Sequence, residues 1–173
     1  MSVNHLKKTE LLILEMSEAH WPAVAQIYKQ GVNTGFATFE KEIPTYEQWN
    51  KNHITNCRLV AIGNDKILGW AALSPVSGRC VYGGVAEVSI YIAETARGLG
   101  IGYLLMEELI TSSEKEGFWT LQSGIFPENK ASIKLHEKAG FRFLGRRERV
   151  GQLDGVWKDN VLFERRSKVV GVE

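Results

Sequence analysis

At 173 residues, 44% hydrophobic and 24% charged, the chain has the make-up of one ordinary globular domain able to bury a core. A formal net charge of +1 gives no electrostatic case for nucleic acid or an anionic membrane as a general partner. No apolar run approaches the roughly 18 residues that span a bilayer, and residues 1–10 lack the apolar stretch of a secretion signal. Cys57 and Cys80 form no paired motif, so neither a disulfide framework nor a metal site is indicated, and a reduced, cytoplasmic setting is expected.

The first ten residues are polar and expected to fray, and 11–16 is an apolar first strand. Ser17 offers an N-cap, and Trp21, Val24, Ala25, Ile27 and Tyr28 recur at helical spacing, so a helix runs to about residue 30. A loop follows over 31–39, with two glycines and the aromatics Phe36 and Phe39. Thr45 and Gln48 have the spacing of a capping box and open a second helix through about residue 53. Strands at 58–62 and 66–73 flank a turn at Gly63-Asn64-Asp65. A turn over 74–79 leads to a long strand, 81–92, with a possible break at Gly83-Gly84.

The next helix, 100–115, places Ile101, Leu104, Leu105 and Leu109 on one side and ends at Gly117. A strand over 118–126 ends at Pro127, and Asn129 caps a helix over 130–139 that closes at Gly140. Strands at 141–150 and 157–165 make a last hairpin around Leu153-Asp154-Gly155, and the tail from Ser167 reads as loose. The pattern predicts the α+β class, a single domain over 1–173 with four helices and a mixed, mostly antiparallel sheet. Helices 100–115 and 130–139 are its crossovers.

The chemistry concentrates where the central strand ends. Gly98, Gly100 and Gly102 leave backbone N–H groups uncovered at a helix start, and Arg97 adds a positive charge, a combination suited to a phosphate group. No G-x-x-x-x-G-K-[ST] motif is present. A dinucleotide fingerprint needs a third glycine where Tyr103 stands and an acidic residue near 118–121, where there is none.

What remains is R-x-x-G-x-G, Arg97 to Gly102, after a central strand and before an amphipathic helix. This resembles the acyl-CoA-binding motif of the GNAT superfamily of N-acetyltransferases. The segment 129–141, with Asn129, His136, Gly140 and Phe141, is similar to a second block of that family. Residues 86–92, 37–40 and 155–159 narrow the resemblance to phosphinothricin acetyltransferases, and it covers about 11–163.

The resemblance implies the GNAT fold, acetyl-CoA as co-substrate, no metal, a small-molecule amine as acceptor, and a homodimer. Arg97, Gly98, Leu99, Gly100, Ile101 and Gly102 would cradle the pyrophosphate. Ile90, Tyr91 and Ile92 would run beside the pantetheine arm, which the backbone groups of Ile90 and Ile92 would bind like an added strand. Asn129 would bond the arm further along, a role compatible with its reading as a helix cap. Glu87 is the candidate general base, since strand alternation puts it with Ser89 and Tyr91, and partial burial near the thioester would suit it to taking a proton. His136 occupies the position where many family members carry a tyrosine that protonates the departing thiolate. It acts as that acid, orients a substrate, or is a satisfied buried histidine.

For the acceptor, Phe36, Thr38 and Phe39 would wall a pocket. Arg79 and Tyr82 would meet a substrate carboxylate, and Trp157 and Asp159 would complete the site, in one reading from a second subunit. The pairs Arg146-Arg147 and Arg165-Arg166 read as solvated charge, and His5, His20 and His53 as structural. Two rivals stand beside this reading: an acetyltransferase for protein or peptide amines, and a non-catalytic acyl-CoA sensor.

Overall fold

A computed structural model describes residues 11–173. Seven strands form one sheet in the order β1-β2-β3-β4-β5-β7-β6. They are β1 (Leu11–Glu15), β2 (Leu59–Gly63), β3 (Lys66–Pro75), β4 (Val85–Ile92), β5 (Thr120–Ile125), β6 (Arg142–Leu153) and β7 (Val156–Arg166). Every neighbouring pair is antiparallel except β4–β5, so the sheet is mixed as the pattern predicts. Helices α1 (Trp21–Asn33) and α2 (Tyr46–Asn52) lie on one face, α3 (Ile101–Lys115) and α4 (Lys130–Lys138) on the other.

The two faces differ in how they are filled. On the α1 side an aromatic stack runs through Trp21, Trp49, Trp70, Tyr28 and Tyr91, with ring centroids 4.9–5.7 Å apart. On the α3 side Leu105, Met106 and Leu109 are completely buried. Burying each such side chain stabilises the fold by about 1.5–3 kcal/mol.

Local chemistry explains most boundaries. Thr45 Oγ1 accepts the Gln48 N–H (3.3 Å) and Gln48 Oε1 accepts the Thr45 N–H (3.1 Å), the reciprocal cap expected at the start of α2. At its other end the buried Arg58 donates to the carbonyls of Ile54 (2.7 Å), His53 (2.9 Å) and Asn50 (3.1 Å). The guanidinium thus sits where the carbonyls at the end of α2 and just beyond it need donors. Asn64 and Asp65 both take positive φ (50° and 58°), the primed hairpin turn, and Asp154 and Gly155 repeat it (49° and 79°).

Four expectations change. Ser17 does not cap an α-helix: its N–H donates to His20 Nδ1 (3.0 Å) across a single 3₁₀ turn, and α1 starts at Trp21. Gly31 does not open the loop but lies inside α1, because a Cβ there would come within 2.6 Å of the Tyr91 ring. The glycine lets α1 settle onto β4. The second crossover does not lead to a neighbouring strand: α4 carries the chain to β6 at the sheet edge, and β7 returns to fill the gap beside β5. Finally, the segment from Ser167 is held by specific bonds. Ser167 N–H donates to the Trp119 carbonyl (2.8 Å), Ser167 Oγ to Glu114 Oε1 (2.9 Å), and Arg166 Nη1 to the Val170 carbonyl (2.7 Å).

Candidate active site

The sheet opens at its centre. Pairing between the parallel strands β4 and β5 stops at Glu87–Gln122, although β4 runs on to Ile92 and β5 to Ile125. Backbone direction in β4 follows from its ends: the Ala93 N–H donates to the Leu68 carbonyl on the β3 side, while the Gly84 carbonyl accepts from Trp119 and Thr120 on the β5 side. Alternation therefore turns the backbone groups of Val88, Ile90 and Ile92 into the wedge. This is a strand edge inside a sheet, and an extended ligand can pair with it.

At the wide end of the wedge stands the glycine loop. Gly98 and Gly100 take φ of 75° and 82°, which side chains with a Cβ disfavour. A Cβ at either would meet no heavy atom within 4 Å, so conformation rather than crowding demands glycine, and the space above is open. The first backbone bond of α3 runs from Leu104 N–H to the Gly100 carbonyl (3.3 Å). The N–H groups of Ile101, Gly102 and Tyr103 are therefore left without acceptors inside the helix. Gly102 has another role: a Cβ there would sit 3.3 Å from Leu135 and 3.6 Å from Ile92, so its absence brings α3, α4 and β4 together. Arg97 is exposed, and its Nε lies 3.4 Å from the Ile92 carbonyl; Leu99 is exposed beside it. Uncovered N–H groups, a helix dipole and a guanidinium are the features that suit a phosphate group.

The other face of the wedge is bounded by α4. Asn129 Oδ1 accepts the Ser132 N–H (3.2 Å) and so caps α4, while its Nδ2 is not needed for the cap. His136 is 1% exposed, with the Phe141 ring edge-on at 4.9 Å. Its Nδ1 lies 2.8 Å from the Ser132 carbonyl, which can only accept, so Nδ1 carries the hydrogen and Nε2 a lone pair. Nε2 is buried and has no protein partner. Burial holds the imidazole below its ordinary pKa, against a smaller opposing effect of the Ser132 carbonyl. A neutral ring of this tautomer accepts at Nε2 and has no proton there to give.

Glu87 projects from the opposite face of β4, with Ser89 and Tyr91. It is exposed, not partly buried as expected, and Gln122 Nε2 reaches its Oε2 at 3.4 Å. Tyr91 directs its ring away from the glycine loop, onto Trp70 (5.0 Å) and Tyr28 (4.9 Å), and its backbone faces β3. Burial pushes both phenols up, Tyr91 far above the usual range; Glu40 adds to this and Thr38 opposes it. Thr38 thus stands beside two buried hydroxyls. Phe39 meets Phe126 edge-on at 4.6 Å and closes over Gly151, where a Cβ would lie 3.0 Å from its ring. The loop after α1 therefore roofs the Glu87 face, with Phe36 exposed at its edge.

The remaining predicted residues stand elsewhere. Arg79 stacks over Tyr82 (5.4 Å) in the exposed turn before β4, and no hydrogen bond or ion pair joins either to Glu87. Trp157 is 57% exposed near the tip of the β6–β7 hairpin. Asp159 is turned to the face away from Glu87. There the Arg149 N–H (2.8 Å) and Arg146 Nε (2.7 Å) hold its carboxyl below the usual range. Sequence reasoning missed Gln122, although alternation in the predicted strand 118–126 groups it with Gly124 on one face. It also missed Asn160, whose facing depends on a hairpin register that no local signal carries. Among the described residues no cluster of His, Cys, Asp or Glu is arranged to hold a metal ion.

A family model described as "Acetyltransferase (GNAT) family" matches residues 21–141. The chain is 34% identical over 151 residues to a phosphinothricin N-acetyltransferase of Alcaligenes faecalis, covering 83% of this chain and 76% of that one. Its fold matches a phosphinothricin acetyltransferase from Sinorhizobium meliloti, solved in complex with AcCoA, at a TM-score of 0.86 and 27% identity, covering 95% and 92% of the two chains. A ribosomal-protein-alanine N-acetyltransferase from Brucella melitensis matches at 0.84 and 33% identity, covering 90% and 99%. The chain belongs to the GNAT family of acetyltransferases.

Proposed function

We propose that this enzyme moves acetyl from acetyl-CoA to the amine of a small amino acid or amino-acid analogue, of the phosphinothricin or methionine sulfoximine type. The observation that carries the reading is the wedge: it opens at Glu87, with the glycine cradle at its far end and an aromatic chamber on the Glu87 face. In this reading Arg97 to Gly102 hold the pyrophosphate and the inward backbone groups of Ile90 and Ile92 pair with the pantetheine arm. Asn129 Nδ2 bonds the arm where α4 begins. The co-substrate would supply a thioester, and the N–H groups of Val88 and Ile90, which face the wedge, would stabilise charge developing on its carbonyl oxygen.

Glu87 takes the proton of the attacking amine, directly or through water, as the nitrogen–carbon bond forms and the carbon–sulfur bond breaks. Gln122 steadies the carboxylate. His136 orients rather than protonates, because its Nε2 offers a lone pair, and the leaving thiolate then takes its proton from water. Thr38, Phe39 and Tyr91 bound the acceptor, and Arg79 with Tyr82 guards the entrance. Trp157, exposed on the projecting hairpin, serves a second copy of the chain in a homodimer.

The likeness to a ribosomal-protein-alanine acetyltransferase favours a second reading, a peptide amine as acceptor. The closure of Phe39 onto Gly151 and Phe126 argues for the smaller substrate. Thiol release from acetyl-CoA, followed against phosphinothricin, methionine sulfoximine, ordinary amino acids, polyamines and a peptide with an N-terminal alanine, separates the two. Turnover confined to the peptide overturns the small-molecule reading. Tight CoA binding without any turnover replaces it with a sensor.

A further inference from the structure

Adjacent arginines in β6 have opposite surroundings. Arg146 points away from Glu87 and binds Asp159. Arg147 points to Glu87's own face, because directly paired residues share a side of the sheet: Glu87 with Gln122, Gly124 with Leu162, and Arg147 with Asn160, two residues along β7 from Leu162. Glu87, Gln122, Gly124, Asn160 and Arg147 thus form one row across β4, β5, β7 and β6. The contacts agree. Asn160 is buried and accepts from Arg147 Nε at 2.8 Å. A Cβ on Gly124 would lie 2.7 Å from Asn160 Nδ2 and 3.7 Å from Arg147 Nη2. The guanidinium therefore reaches back from the edge strand over β5, held by a buried amide and admitted by a missing side chain.

Nothing else in the structure uses that charge. Among the described residues no carboxylate lies within ion-pair distance of Arg147, and its Nη groups make no protein hydrogen bond. Arg147 is exposed, on the face of the sheet that bears Glu87, so its Nη groups are accessible to a ligand there. A guanidinium fixed through Nε offers its remaining donors as a planar pair, the arrangement that matches a carboxylate, phosphinate or phosphonate.

We propose that Arg147, aimed by Asn160 across Gly124, determines acceptor specificity by selecting amino acids whose side chain ends in an oxyanion. This rests on the acetyl-transfer reading and assigns the far end of the acceptor, opposite the amine that meets Glu87. The test is the ratio of kcat/KM for phosphinothricin, whose side chain ends in a phosphinate, to that for methionine sulfone, whose side-chain oxygens carry no net charge. A ratio is unaffected by the fraction of active protein, so partial misfolding of a variant cancels.

Arg147→Leu is expected to lower the ratio about tenfold. Asn160→Val, which removes only the anchor, moves it the same way by less, and Arg147→Lys recovers part of it. A ratio unchanged in both Arg147→Leu and Asn160→Val, or equal losses for the two acceptors, overturns the assignment while leaving acetyl transfer standing. A wild-type protein that acetylates neither amino acid removes both readings together.

Discussion

The two ends of the wedge are built on different principles. The glycine cradle is made of backbone: six consecutive residues, two positive φ angles and the unfilled donors of one helix. The chamber proposed for the acceptor is made of side chains from the loop after α1 and from β4, β5, β6 and β7. A backbone site tolerates almost any side chain that keeps its conformation. A side-chain site can be rewritten one residue at a time while the cradle stays as it is. On the proposed reading, the division would let one scaffold keep a co-substrate and change its acceptor.

This contrast breaks most sharply at Glu87, where the two halves meet. Glu87→Gln is expected to lower kcat about a hundredfold or more, with binding of acetyl-CoA retained. Stopped-time thiol assays across pH 6–9 and a calorimetric CoA titration check both halves of that statement. Full activity in the variant would remove Glu87 from the mechanism.

A smaller effect separates the halves themselves. Gly100→Val forces a β-branched residue to φ 82°, a strain of about 1–3 kcal/mol, and should raise KM for acetyl-CoA more than for the amine. Gly31→Ala sets a methyl group 2.6 Å from the Tyr91 ring, an overpacking of about 1–3 kcal/mol, and should raise KM for the amine more than for acetyl-CoA. Initial rates with each substrate varied in turn read the pattern. Parallel losses in both variants would mean that the two halves are not independent.

The smallest effect belongs to Asp159, which lies on the face of β7 away from Glu87. Its carboxyl is held below the ordinary range by the Arg149 N–H and by Arg146. That stabilisation is present above the unfolded carboxylate pKa of about 3.9 and is lost as pH falls through the lower folded value. Asp159→Asn should therefore lower the melting temperature slightly at neutral pH, with the difference from wild type beginning to shrink below about pH 4 and vanishing only beneath the lower folded value. A change in acceptor KM would return Asp159 to the site.

What was legible in the sequence divides along the same line. The cradle could be read because its signals are contiguous, as could the Thr45–Gln48 cap, the turn at Asn64-Asp65 and the crossover through α3. On the chamber side Glu87, Phe36, Thr38 and Phe39 could be named, but the residues that β5, β6 and β7 bring to the same face could not, for reasons of register and packing. One step along β7 separates Asp159, on the outer face, from Asn160, on the inner one, and a register shift between Arg147 and Gly151 lies beside them. Gly31 looked like the start of a loop because its partner, the Tyr91 ring, is sixty residues away. Arg147 reads as solvated charge and is exposed, but nothing local reveals the buried Asn160 amide that its Nε binds. His136 could be located but not given a tautomer until the Ser132 carbonyl was seen against Nδ1.

The parting of β4 from β5 has a thermodynamic meaning as well as a chemical one. Up to Glu87 the two strands support each other; beyond it Val88, Ile90 and Ile92 direct their backbone groups at whatever fills the gap. A ligand lying there acts as a strand the chain does not encode, and its binding energy becomes folding energy for the middle of the sheet. At a hundred times its dissociation constant such a ligand adds about 2.7 kcal/mol. Amide protons along β4 should then exchange with solvent in alternation, slow at Ser89 and Tyr91 and fast at their neighbours, until the co-substrate makes them all slow.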